Sequence, residues 1–202
     1  MTIAVGSLQL TVNSEMIDYN QIIAKYCGDN VELQHILLTH SRQVADRALA
    51  ILQAHPEWVE QGEVDPVFVE EAAMLHDIGV VLCNAPKIHC MGTHAYIEHG
   101  YLGAEILRQE GLPKHAHIAE RHTGTGITME QIVREQLPIP LQDYTPRTLE
   151  ERLICYADKF YSKTKLGEDK PMSKIRLHLW KYGSDSVFRF DEMQRFFDPL
   201  NS

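Results

Sequence analysis

The sequence predicts an all-α fold, a helical bundle, on two observations. Apolar residues recur at three- and four-residue spacing along most of the chain. The periodic stretches are opened by Ser, Asn, Asp or Thr and closed by Gly or Pro, the residues that start and stop helices. With 202 residues, 44% hydrophobic and 23% charged, the chain has the size and composition of one soluble globular domain, and a single domain over residues 1–202 is expected.

The elements follow in order. Residues 2–12 alternate weakly and read as an extended arm. Ser14 is placed to cap a first helix that runs through Cys27 and stops at Gly28. Asn30 caps a long second helix to about Ala54, with Leu33, Leu37, Val44, Ala48 and Ile51 on its apolar stripe and His40 in phase with them. Asp65-Pro66 is a cap followed by proline at the first helical position. That third helix carries Val69, Ala72, Ala73 and Leu75, then His76-Asp77, with Gly79 as its stop. Residues 80–94, with a proline, a glycine and two histidines, read as a loop and, beside a candidate site, as a lid. A fourth helix is expected over residues 95–110, with Ala95, His99, Leu102 and Ile106 on one stripe. A short fifth helix puts His115, Ile118, Ala119 and His122 on one face. Thr128 with Gln131, and Thr148 with Glu151, fit capping boxes, and the second opens a helix that carries Asp158 beside Ile154, Cys155 and Tyr161. The last thirty residues make one or two helices rich in Leu177, Trp180, Phe188, Phe196 and Phe197, which pack on the core or form a homodimer surface.

Charge and composition exclude several classes of partner. A formal charge of −9 argues against a nucleic-acid polymer and against an anionic membrane surface. No apolar run approaches the roughly 18 residues of a membrane span. Met1 to Val12 lacks the basic-then-apolar order of a secretory signal, so a cytoplasmic location is expected. Cys27, Cys83, Cys90 and Cys155 form no CxxC pair and read as reduced thiols. No P-loop glycine pattern is present, so ATP is not expected as an energy source.

The chemistry lies in six separated residues: His40, His76, Asp77, His99, His122 and Asp158. The His76-Asp77 pair alone proves little, because 11 His and 11 Asp in 202 residues give about 0.6 such pairs by chance. A lone histidine on an apolar stripe is more often a satisfied core residue than a ligand. The set carries more weight than its members. Histidines on the inward stripes of several helices, with a carboxylate on another, all need partners. One metal centre satisfies all of them, and imidazole with carboxylate suits iron, manganese, zinc, nickel or cobalt. Five or more such ligands exceed the need of a tetrahedral structural site and point to a catalytic centre.

The order His40, His76-Asp77, Asp158 resembles the ligand pattern of the HD superfamily of metal-dependent phosphohydrolases. THSRQVADRAL around His40, AAMLHDIGV around the pair and CYADKF around Asp158 carry the resemblance over about residues 30–165. EHGYLGAEIL and ERHTGTGI place His99 and His122 as the additional histidines of binuclear members, and the match is similar to the diadenosine-tetraphosphate hydrolases of that superfamily. The resemblance implies an HD-domain bundle and two ions. One would take His40, His76, Asp77 and Asp158; the other Asp77, His99 and His122. It implies hydrolysis of a small, nucleotide-like phosphoester or phosphoanhydride, with Asp77 as a catalytic residue. Lys159, next to Asp158, is a second catalytic candidate as a contact for a substrate phosphate, with a salt bridge to a surface acid as the alternative. Two other readings share the ligand list: a di-iron oxygenase, and a non-catalytic nucleotide-binding regulatory domain. Arg42 and Arg121 flank ligands but face other directions. His89, His94, His115 and His117 read as surface histidines, with lid or proton-donor roles as the alternative. The basic run Lys159, Lys163, Lys165, Lys170, Lys174 and Arg176 either steers a phosphorylated ligand or forms a solvated face.

Overall fold

A computed structural model describes residues 17–198, and the arm expected over residues 2–12 and the Ser14 cap lie outside that range. The described chain is an all-α bundle with one two-stranded hairpin. Its helices are α1 (Tyr19–Cys27), α2 (Val31–Ala54), α3 (Pro56–Glu60), α4 (Pro66–Leu75), α5 (His99–Gln109), α6 (Pro113–Arg121), α7 (Met129–Glu135), α8 (Leu149–Asp158), α9 (Met172–Leu179) and α10 (Ser184–Phe197). No helix among the described residues is long and apolar enough to cross a membrane.

Local chemistry sets most boundaries. The cap of α1 is Asp18, whose carboxylate accepts from Gln21 N at 3.0 Å, so the helix starts later than Ser14 implies. Gly28 closes it with φ +54°, a conformation that favours glycine. Asn30 accepts from Leu33 N at 3.0 Å and opens α2 as expected. The helix α3 is not anticipated by the sequence, because it is only five residues long, counting the Pro56 that starts it. Thr148 and Glu151 close a full capping box on α8. The Thr128 box is only half made: Thr128 accepts from Gln131 N, but the Gln131 side chain donates to Glu135.

Two apolar clusters flank α2. One joins Val44, Ala48 and Leu52 to α4, α8, α9 and α10. The other joins Leu33 and Leu37 to α1, α5, α6, Leu75 and Ile78. His40 lies on α2 between the two sets, and His76-Asp77 follows Leu75 at the same junction. The polar centre therefore sits where the cores meet. Phe197 is buried in the first core, whereas Leu177, Trp180 and Phe188 are exposed. All four cysteines are buried and free.

Residues 80–94 are more ordered than a loop. A 3₁₀ turn spans Ile78–Leu82, and β1 (Asn84–Ala85) pairs antiparallel with β2 (Cys90–Met91). Asn30 ties the hairpin tip to the start of α2 by donating to His89 O at 2.8 Å.

Candidate metal centre

Three helices end at the centre. His76 is the C-cap of α4 with Asp77 next, His122 is the C-cap of α6, and Asp158 is the last residue of α8. Each helix brings the partial negative charge of its unpaired terminal carbonyls. Two carboxylates are added to these, so the field at the junction favours a cation.

The same carbonyls orient the ligands. His76 Nδ1 donates to Ala73 O at 2.6 Å and His122 Nδ1 to Ala119 O at 2.7 Å, while His99 Nδ1 donates to Tyr96 O at 2.6 Å. With Nδ1–H held by a carbonyl, each Nε2 is turned inward, the arrangement typical of imidazole ligands. His99 Nε2 and His122 Nε2 then face each other at 3.1 Å with no proton to share. A positive centre between them removes that conflict.

Asp77 is the hub. Its Oδ2 lies 3.1 Å from His40 Nε2 and 3.0 Å from His76 Nε2. Its Oδ1 lies 3.5 Å from His99 Nε2 and 3.3 Å from His122 Nε2. Asp158 Oδ1 lies 3.1 Å from His40 Nε2 and 3.6 Å from His76 Nε2. The six expected residues thus form two groups able to hold a metal ion: His40, His76, Asp77 and Asp158, and Asp77, His99 and His122. Both His40 ring nitrogens, His76 Nε2 and both Asp77 oxygens are buried without a hydrogen bond of acceptable geometry. Orphaned atoms of this kind are costly unless a ligand takes them. The donor set and these orphans fit divalent ions.

Glycine packing brings the two groups together. Gly79 does not stop a helix; it lies inside the 3₁₀ turn, where a Cβ would meet His99 O at 2.0 Å and Gly103 N at 2.3 Å. Gly100 plays the same part against α6, where a Cβ would meet Ala119 O at 2.8 Å. These contacts seat the start of α5 against Asp77 on one side and against the end of α6 on the other. His99 and His122 converge as a result.

Electrostatics reflect the crowding. Burial acts to lower the His76 pKa, but Asp77 and Asp158 outweigh it and push it up to about 9. Burial, with His122 beside it, pushes His99 down to about 3. Burial acts against ionised Asp77, yet His76 and Lys163 hold it well below the usual carboxylate range. Asp158 is likewise held low despite burial, chiefly by Lys159.

Lys159 reaches Asp158 Oδ2 at 2.8 Å and donates to His122 O at 3.0 Å, so it secures both a carboxylate and the end of α6. Lys163 lies closer to the hub, with Nζ 2.5 Å from Asp77 Oδ2, and only its membership of the basic run marks it in the sequence. Arg42 binds Glu70 at 2.7 Å and Arg121 binds Glu151 at 2.6 Å, so their charges are engaged outside the centre. His115 is not a surface residue: it is buried beside Phe68, with Nε2 3.4 Å from Glu71. His89 and His117 are exposed, and His94 pairs with Glu98 at 3.1 Å.

The centre opens onto a cavity of about 910 Å³. Lys159, Lys163, Lys170 and Lys174 line it, with Tyr96, Ile97, Ile127 and Leu137 among its apolar lining residues. Lys165 does not line the cavity, and Arg176 pairs with Asp191 at 2.7 Å, so the basic run divides between cavity and surface.

Comparison with known proteins gives the same placement. An uncharacterized protein of Methanocaldococcus jannaschii is 39% identical over 162 residues, covering 79% of this chain and 83% of that protein. Two proteins named tRNA (cytidine(56)-2'-O)-methyltransferase are also similar. The one from Picrophilus torridus is 36% identical over 103 residues, covering 50% of this chain and 26% of its own length. The one from Thermoplasma volcanium is 32% identical over 130 residues, covering 64% of this chain and 32% of its own length. This chain therefore corresponds to about a third or less of those methyltransferases. No solved structure matches. The HD domain family matches residues 37–162, which run from just before His40 to just beyond Asp158, and by that match the chain belongs to the HD domain family.

Proposed function

We propose that this protein is a metal-dependent phosphohydrolase with a two-ion centre, acting on a small, nucleotide-like phosphoester or phosphoanhydride. One observation carries the reading: Asp77 is shared by two ligand groups whose imidazoles all face it within 3.5 Å. Divalent ions held there would activate water near neutral pH and neutralise phosphate oxygens. The protein's own part is positional. His40, His76 and Asp158 form one side of the centre, and His99 with His122 the other. Asp77 joins them and is assigned to receive the proton of the attacking water. Lys159 keeps Asp158 in place while facing the cavity.

The cavity favours a phosphorylated substrate over the C–H substrate of a di-iron oxygenase. Four lysines on one lining supply charge that an anion needs and a neutral hydrocarbon does not. Tyr96 and the isoleucines offer a face for a base. Similarity to part of two enzymes named for modifying tRNA is in keeping with a nucleotide-bearing substrate. The binuclear histidines are consistent with the diadenosine-tetraphosphate hydrolase subset.

The test starts with elemental analysis of protein purified without added metal. A panel of phosphomonoesters, nucleotides and dinucleoside polyphosphates is then screened with manganese, iron, nickel and cobalt. Metal-dependent phosphate or nucleotide release, lost by at least about 10³-fold in Asp77→Ala, is expected. Metal-loaded protein that is inert across the panel but consumes oxygen with an organic substrate would replace this reading with the oxygenase.

A further inference from the structure

One cation at the centre belongs to the protein. Lys163 Nζ lies 2.5 Å from Asp77 Oδ2, on a side chain only 11% exposed. It comes from the irregular segment between α8 and α9, five residues beyond Asp158. That segment is fastened to the outside of α2, where Gly167 N donates to Gln43 Oε1 at 3.4 Å and Arg47 faces Asp169 at 3.4 Å. The ammonium is thus delivered to the oxygen that His40 and His76 also face. A divalent ion among His40, His76, Asp77 and Asp158 would claim the same oxygen. Two positive centres cannot both lie against it without strong repulsion.

We infer that Lys163 is the counter-ion of Asp77 while the centre is empty of metal, and the ligand of a substrate phosphate once it is filled. The inference rests on the metal-centre reading above. The surroundings give the ammonium somewhere to go. Lys163 lines the cavity, with Nζ 5.8 Å from the Tyr96 ring centre. The other lysine at the centre, Lys159, is engaged by Asp158 and the His122 carbonyl. Lys170, which donates to Lys159 O at 3.2 Å, and Lys174 lie further along the lining and have no carboxylate within ion-pair distance among the described residues, so they add positive charge along the way to the centre. Lys163 is the member of that lining nearest the hub. Released from Asp77, it meets the phosphate at the reacting end.

Calorimetry tests this on the full chain, first with Mn²⁺ alone and then with inorganic phosphate added to Mn²⁺-loaded protein. Lys163→Met removes the competing cation, so Mn²⁺ should bind at least about fivefold tighter than to the wild type, as competition for one oxygen requires. Phosphate should bind the loaded variant about tenfold more weakly, because a charge-assisted hydrogen bond is lost. Lys163→Gln should behave alike, which guards against a packing defect of the methionine, and circular dichroism checks that both fold. Lys165→Met, exposed on the same segment and outside the cavity, should change neither constant. Unchanged Mn²⁺ affinity in both Lys163 variants overturns the counter-ion role, and unchanged phosphate affinity overturns the substrate role. Failure of the wild type to bind Mn²⁺ overturns the metal-centre reading and this inference together.

Discussion

At the scale of single residues, the centre is defined by where protons sit. His76, His99 and His122 each give Nδ1–H to a backbone carbonyl three residues back, and each therefore offers Nε2. His99→Ala and His122→Ala should each lower bound metal from about two toward one ion per chain, measured by elemental analysis, with most activity lost. Two ions retained in either variant would remove that histidine from the ligand set. His115 carries a separate prediction. Burial, above all, lowers its pKa below the ordinary 6.5, and Glu71 only partly opposes this. As pH falls, the unfolded chain takes up the proton first, so this contribution to stability is complete above about 6.5 and shrinks as pH drops toward the lowered folded value. His115→Gln should flatten the fall in Tm with acidification below pH 6.5 relative to wild type. Parallel Tm–pH curves would show that His115 does not titrate on unfolding. His40, His99, His122 and Asp158 were readable from helical phase and His76-Asp77 as an adjacent pair at a helix end, but the approach of Lys163 to the hub was not. Lys163 lies in an irregular segment, where periodicity carries no information on direction.

At the scale of elements, close backbone approach decides the geometry. Gly79 sits under the start of α5, with no room for a methyl group between its Cα and the carbonyl of His99. Gly79→Ala should destabilise the fold by about 3 kcal/mol, because the obstruction is backbone and cannot rotate away. Urea melts check this, and metal content of the folded fraction should fall with it, since His99 moves with α5. A loss below about 0.5 kcal/mol would mean that the turn and α5 separate easily, with glycine not required. Read along the chain, Gly79 looks like a helix stop; the true end comes at Leu75, and His76 takes the cap position. A glycine needed for space and a glycine needed for positive φ look identical in sequence. The caps at Asn30 and Thr148 were legible because their hydrogen bonds are local, spanning three residues.

At the scale of the molecule, the polar centre is the joint between two apolar cores. The candidate ligands come from α2, the ends of α4, α6 and α8, and the start of α5, so metal bound there would tie both cores together. Metal that binds only the folded state stabilises it by mass action. Mn²⁺ at about 100 times its Kd should add about 2.7 kcal/mol of stability, visible as a rise in Tm that a chelator reverses. An unchanged Tm on loading and on chelation would mean that the cluster holds no ion under those conditions.

The sequence by itself determined the helical class, most helix starts, and the inward phase of His40, His99, His122 and Asp158. These depend on spacing and on cap chemistry that act within one helical turn. The family resemblance already implied that the two histidine groups share Asp77; only the tertiary structure decided that three helix C-termini converge on them, and that Lys163 reaches the same oxygen. Each of these joins residues far apart in the chain, from His40 to Lys163, and is set by how helices pack rather than by any local preference. The unread α3 and the ordered hairpin over residues 84–91 have the same cause: short elements gain little from propensity and are held by the contacts they make.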